Sequence, residues 1–402
     1  MHDVLAALVP HRAIRSRALL ACFGITGALH VATVLLQTLL PLHVTALGAT
    51  KTQVGLLFSV STLVGMVLRP AVGGWVDRYG ARRLIGPGAL LLFATSLAFH
   101  AARTPAAVVA LMAGIGVGAS LVSTPASVHV AVISPPAHRG EALGIYYLFS
   151  SLPIAVAPPL ALALFGAGGT GLGFAVVSAM AVVCVALALA LGPRAVSAGP
   201  GEAARPRLLS RHALGLAGVL VLTTCGHSAV YGFVPLSAIE RGQGHLLSWF
   251  FGVYAAWIIV CRALLRGLSD RVGRVQVLVP AIGIICVGYA LLALPPTGPS
   301  LIAAAFCLAS GGSLQYPTLI ALVADRTPPD ERGLAIGTIS GAWDVGIVIG
   351  SAVLGLVVER AGYGPGFMVG AATAAAGLLV FVVTERRRAT PSSVPPSTWT
   401  RS

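Results

Sequence analysis

Residues 69–80 read RPAVGGWVDRYG, and residues 262–273 read RALLRGLSDRVG. At a shift of 193 residues, Arg69, Gly74, Asp77, Arg78 and Gly80 coincide with Arg262, Gly267, Asp270, Arg271 and Gly273. The same shift sets PPAHRGEALG (135–144) on PPDERGLAIG (328–337), and six of the ten positions agree. One offset that aligns two separate windows marks the chain as a duplication, each copy being a structural unit. In both copies the Asp-Arg-x-Gly cluster follows directly on a long apolar stretch.

Those stretches decide the class. Of 402 residues, 56% are hydrophobic and 9% charged, whereas soluble domains carry about 25% charged residues. Apolar runs of about 20 residues, long enough to cross about 30 Å of hydrocarbon, recur along the whole chain. They predict helices at 18–42, 53–75, 84–102, 105–132, 141–165 and 171–192, then at 211–238, 246–268, 276–294, 299–324, 333–357 and 364–384. The expected protein is an all-α membrane protein with twelve transmembrane helices in two six-helix pseudo-repeats. Residues 1–192 would form the first bundle and 211–384 the second. The Pro-, Gly- and Arg-rich stretch 193–210 would link them, and 385–402 would be a disordered tail.

The net charge of +14 fits the basic loops of a membrane protein rather than a nucleic-acid surface. Arg78, Arg82, Arg83, Arg139, Arg194, Arg205, Arg207, Arg271, Arg274, Arg326 and Arg332 all fall on one side of the predicted spans. Lys51, Arg103, Arg241 and Arg360 fall on the other. The asymmetry predicts that both termini lie in the cytoplasm, in the inner (cytoplasmic) membrane of the cell. Arg12, Arg15 and Arg17 precede a run too long for a secretory signal, so the first run reads as a permanent span. All six cysteines sit in apolar segments without a CxxC pair, so neither disulfides nor metal is expected. No Walker A, HExxH or GxSxG pattern occurs, so no enzyme and no cofactor are expected.

With the repeat in view, Gly73-Gly74-Trp75-Val76-Asp77-Arg78-Tyr79-Gly80-Ala81-Arg82-Arg83 resembles the signature loop of the major facilitator superfamily. The copy Gly267-Leu268-Ser269-Asp270-Arg271-Val272-Gly273-Arg274 is similar, with Arg266 in place of the leading glycine. The resemblance extends over all twelve predicted spans and points to the drug and small-solute efflux branch. It implies that Gly73, Asp77, Arg78, Gly80, Arg82, Asp270, Arg271 and Gly273 form a cytoplasmic gate that latches the halves. The charges in themselves would also serve to fix topology. The family's antiporter pattern on helix 5 is kept only at Gly144 and Pro158, with Pro153, Ala157, Ala161 and Leu162 replacing its glycines. Helix 11 carries Gly337, Gly346, Gly350 and Gly355, a spacing that suits close helix packing.

Polar side chains inside the spans need partners or a wet cavity. Thr26, His30, Thr33 and Gln37 share one face of helix 1, as Thr223, His227 and Tyr231 do on helix 7 and Gly311, Gln315 and Thr318 on helix 10. In the resembled fold helices 1, 4, 7 and 10 line a central cavity. Asp344 lies mid-span on helix 11, beside Trp343, where a carboxylate costs about 2.5–3.5 kcal/mol on insertion scales. His30, Gln37, His227, Tyr231, Gln315, Trp343 and Asp344 are therefore the candidate substrate or proton pathway. Arg69 and Arg262, near the ends of helices 2 and 8, are candidate conformational or pairing residues. They would either snorkel toward the signature loops or, for Arg262, pair with Asp344. The expected activity is secondary active transport, by proton-coupled efflux of a small amphipathic organic solute. Proton-coupled import of a sugar, organic acid or nucleoside is the alternative, and a non-transporting receptor or scaffold the other class. The partners would be that solute, protons and the lipid bilayer, with no nucleic acid, and the protein a monomer.

Overall fold

The structure, a computed structural model, describes residues 16–135, 139–191, 209–265, 268–328 and 331–389. Among them every long regular element is a helix. Helix α1 runs Arg17–Ala46, α2 Lys51–Tyr79, α3 Ala81–Ala101 and α4 Pro105–Ile133. The helix Arg139–Ala190 leaves helical geometry at Gly168 and Gly169, the latter at φ 66°, so it is two spans, α5 (139–167) and α6 (170–190). The second half contains α7 (Leu214–Glu240), α8 (Leu247–Leu264) and, after a short helix at Leu268–Val272, α9 (Arg274–Ala293). It ends with α10 (Gly298–Arg326), α11 (Arg332–Ala361) and α12 (Tyr363–Ala389).

The helix starts follow from local chemistry. Thr50 with Gln53, and Thr297 with Ser300, form capping boxes, and the Thr104 hydroxyl accepts from the Ala107 N–H ahead of Pro105. Each cap satisfies backbone donors that the helix itself leaves free. The sequence reading missed one irregularity. Ala229–Phe233 of α7 form a π-helical turn directly before Pro235, which cannot donate to the preceding turn and crowds its carbonyl. A boundary also shifts: α12 continues through Glu385 to Ala389 rather than ending at 384. Arg326 holds the Glu385 carboxylate with two hydrogen bonds of 2.7 and 2.5 Å, which keeps that turn helical. The expected linker lies outside the described residues except at 209 and 210, and so does the tail from 390 onward.

The halves meet along three lines: α2 packs on α11, α5 on α8, and α1 touches α7. The repeat turns α2 into α8 and α5 into α11, so the first two contacts are copies of each other.

Candidate functional site between the halves

The α2–α11 contact is tightest at the end that carries Lys51. A Cβ on Gly55 would stand 2.3 Å from the Ser351 carbonyl oxygen, and one on Gly355 would stand 2.9 Å from that of Lys51. Glycine at both positions lets the backbones touch. Ser59 then donates to the Val348 carbonyl at 2.8 Å. Around this seam Lys51 pairs with Glu240 of α7, and the Tyr363 hydroxyl donates to the same carboxylate at 2.8 Å. The Lys51 ammonium also stands 5.3 Å from the Tyr363 ring centre. The Thr52 N–H, in the first turn of α2, donates to Glu359 at 3.1 Å, where the helix dipole favours a carboxylate. Apart from the Tyr363–Glu240 bond, which lies within the second half, these contacts join one half to the other.

Further along the seam, Arg69 of α2 donates to Asp344 of α11. The antiparallel register that sets Ser59 against Val348 carries Arg69 past Asp344, and the long side chain reaches back to it. The Asp344 side chain is only 9% exposed and that of Arg69 is 44% exposed, so the pair borders an open space. This is not the pairing read from the sequence. Asp344 is not held by Arg262, and Arg69 does not turn toward its signature loop. The charges stand at different depths on α2 and α11, and only an Arg on the facing helix can span the gap. Beyond the pair, Tyr147 of α5 is 58% exposed.

Next to Asp344 stands an aromatic wall. The rings of Trp343 and His227 are 5.3 Å apart, those of Trp343 and Tyr316 5.1 Å, and those of His227 and Tyr231 5.3 Å. The Tyr316 and Ser340 hydroxyls lie 3.2 Å apart. The π turn holds Tyr231 against Phe251 and Tyr254 of α8, at 6.3 and 6.5 Å. Trp343, His227 and Tyr231 were candidates on sequence. Tyr316, Phe251 and Tyr254 were not, although the Phe251–Tyr254 spacing places both on one helix face.

The other candidates separate. Gln315 is buried and its amide donates to the Thr223 hydroxyl, so the α10 and α7 stripes face each other rather than open space. His30 is half-buried with Nδ1 2.8 Å from the Thr26 carbonyl oxygen, and Thr33 donates to the His30 carbonyl at 3.2 Å. Thr33 itself turns toward Leu92, Ile115 and Val177 inside the first half. Gln37 is half-buried one turn further on.

In the signature loops, Gly80 and Gly273 adopt φ 80° and 110°, which is the turn that glycine permits there. A Cβ on Gly73 would meet open space. Arg78 stacks over Tyr79 at 5.4 Å, Arg82 is half-buried and Arg271 is exposed. In the second copy Arg274 binds Asp270 and, at 3.1 Å, Asp325, all within the second half. The Asp77 side chain lies outside the described residues.

A profile of the Major Facilitator Superfamily matches residues 20–242 and again 216–400. The staphylopine export protein of Staphylococcus aureus is 22% identical over 371 residues, covering 88% of this chain and 90% of that protein. An uncharacterised MFS-type transporter of Burkholderia mallei is 26% identical over 359 residues, covering 85% and 86%. Among solved structures, the nucleoside transporter NupG superposes with a TM-score of 0.73 at 14% identity, over 92% of this chain and all of that one. The peptide transporter POT superposes at 0.76 and 14%, over 96% and 98%. At such identities the structures speak for the fold alone.

Proposed function

The chain belongs to the Major Facilitator Superfamily, and we propose that it works there as a proton-coupled exporter of a small amphipathic organic solute. Transport by a multi-pass membrane protein is the family's common activity; the coupling ion and the direction are our reading. The observation that carries it is the Arg69–Asp344 pair, a charge pair inside the membrane that joins the two halves.

A carboxylate at this depth is tolerated when it holds a cation or a proton. With Arg69 in place the halves are tied on this line. A proton on Asp344 takes over the neutralisation, frees Arg69 and unties them. Binding of a proton and a change of conformation are thereby linked, which is what a secondary transporter needs. His227, Tyr316 and Trp343, backed by the buried Tyr231, offer the solute flat apolar faces with a few polar edges. The asymmetry of basic loops supports cytoplasmic termini, which puts the closed Lys51 end outside and the exposed Arg69 and Tyr147 toward the cytoplasm, where an exporter loads. The name of the staphylopine export protein supports the same direction.

The test is gradient-driven uptake into inside-out proteoliposomes with Asp344→Asn. The variant should lose accumulation yet keep counterflow exchange of the solute. Full accumulation by Asp344→Asn would overturn the assignment of the proton to this residue.

A further inference from the structure

The repeat exposes an asymmetry. It maps Arg69 on Arg262 and Asp344 on Ser151, and the α2–α11 contact on α8–α5. In the first contact an aspartate answers the arginine; at the matching position of the second contact the residue is serine. We infer that Arg262 recognises an anionic group of the transported solute, and that this group is a carboxylate or a similar small oxyanion.

Three observations converge on Arg262. Phe251, Tyr254, Ile258 and Arg262 lie at i, i+3, i+7 and i+11 of α8, one face of the helix. Phe251 and Tyr254 pack on Tyr231 of α7, so this face looks toward the aromatic wall, and the phenols of Tyr254 and Tyr231 are the electrostatic neighbours of Arg262. Arg262 is also exposed, unlike the tyrosines beside it. Finally, several acids of the second half are otherwise engaged: Asp344 with Arg69, Asp270 and Asp325 with Arg274, and Glu385 with Arg326. Among the described residues no carboxylate bonds Arg262.

The charge balance around this face follows. Arg69 and Asp344 cancel, and Arg262 leaves one positive charge beside a wall of rings. A guanidinium presents a planar fork of donors that matches a carboxylate with two parallel hydrogen bonds. The rings take the apolar remainder. The solute class is thus an amphipathic monoanion, or a larger molecule that presents one such end. This inference rests on the transport reading and narrows it.

Two shape-matched probe series test it on the purified full-length protein: indole-3-acetate, its amide and tryptamine, and decanoate, its amide and decylamine. In equilibrium binding, the carboxylate of at least one series should bind about 10- to 100-fold more tightly than its amide, the range expected for charge-assisted hydrogen bonds. Arg262→Gln should erase that preference and Arg262→Lys should retain part of it, both with an unchanged elution profile in size-exclusion chromatography. Absence of a carboxylate preference in both series, in the unmutated protein, overturns the inference without any variant. So does a preference that survives Arg262→Gln. If the amides or amines are bound and carried across proteoliposomes instead, transport stands and the role of Arg262 falls. If carboxylates bind through Arg262 but none crosses, the role of Arg262 stands and transport falls.

Discussion

Lys51, the only lysine of the chain, pairs with Glu240 of the opposite half, and the Tyr363 hydroxyl donates to the same carboxylate. Their side chains are 21% and 42% exposed, so the pair contributes on the order of 0.2–1 kcal/mol. Lys51→Met should shift the conformational balance away from this closed end by about 1.4-fold to fivefold. Spin-label distances across the Lys51 end would read the shift. Lys51→Glu combined with Glu240→Lys should reverse it, and failure of the swap to do so would remove the pair from the closing contact.

Gly55 tests the backbone seam. Gly55→Leu should insert and fold but transport poorly, because an added Cβ stands 2.3 Å from the Ser351 carbonyl oxygen. Overpacking of this kind costs about 1–3 kcal/mol and falls on the conformation closed at this end. Gly215→Ala, where nothing lies within 4 Å, is the matched control and should change stability by less than about 0.5 kcal/mol.

Arg69 and Asp344 form a double-mutant cycle. Arg69→Gln alone leaves the buried Asp344 carboxylate without its partner; because Arg69 is 44% exposed, the loss should be about 1–3 kcal/mol, that of a buried polar group left unpaired. It should lower the thermal midpoint of the purified protein. Arg69→Gln with Asp344→Asn should recover most of that loss. A cycle that comes out additive would mean that the two groups do not interact.

Reporter fusions check the topology on which the export direction depends. Fusions after Arg83, Arg139, Arg205 and Arg388 should report cytoplasm, and those near Lys51 and Arg241 the outside. A cytoplasmic signal at Arg241 would contradict both the orientation and the closed-outside reading.

The duplication, the spans and the break between α5 and α6 were legible because each rests on local composition: apolar runs, basic loops and the glycines at 168 and 169. Three of the four α11 glycines pack as their spacing suggests. Gly346 lies against Thr224 and the Val221 carbonyl, Gly350 against the Cys225 backbone and Gly355 on α2, although Gly337 faces open space. The partner of Asp344 was not legible. Sequence sets the depth of a side chain in the membrane, but the identity of the facing helix comes from tertiary packing. The clasp of Lys51 on Glu240 was hidden for the same reason, since the residues lie 189 apart and each alone reads as a loop charge. The π turn escaped because Pro235 announces a disturbance without saying which geometry will absorb it.

Where Gly55 meets Gly355, neither helix carries a side chain that must change rotamer as one rocks on the other. The seam therefore behaves as a fulcrum. Lys51 lies four residues from Gly55 on one side and Arg69 fourteen on the other, lever arms of about 6 and about 21 Å at the helical rise. A tilt that parts the Lys51–Glu240 clasp by a given distance swings Arg69 about three and a half times as far. Release of a weak surface clasp on the short arm is thus geared to a large displacement at the charge pair on the long one.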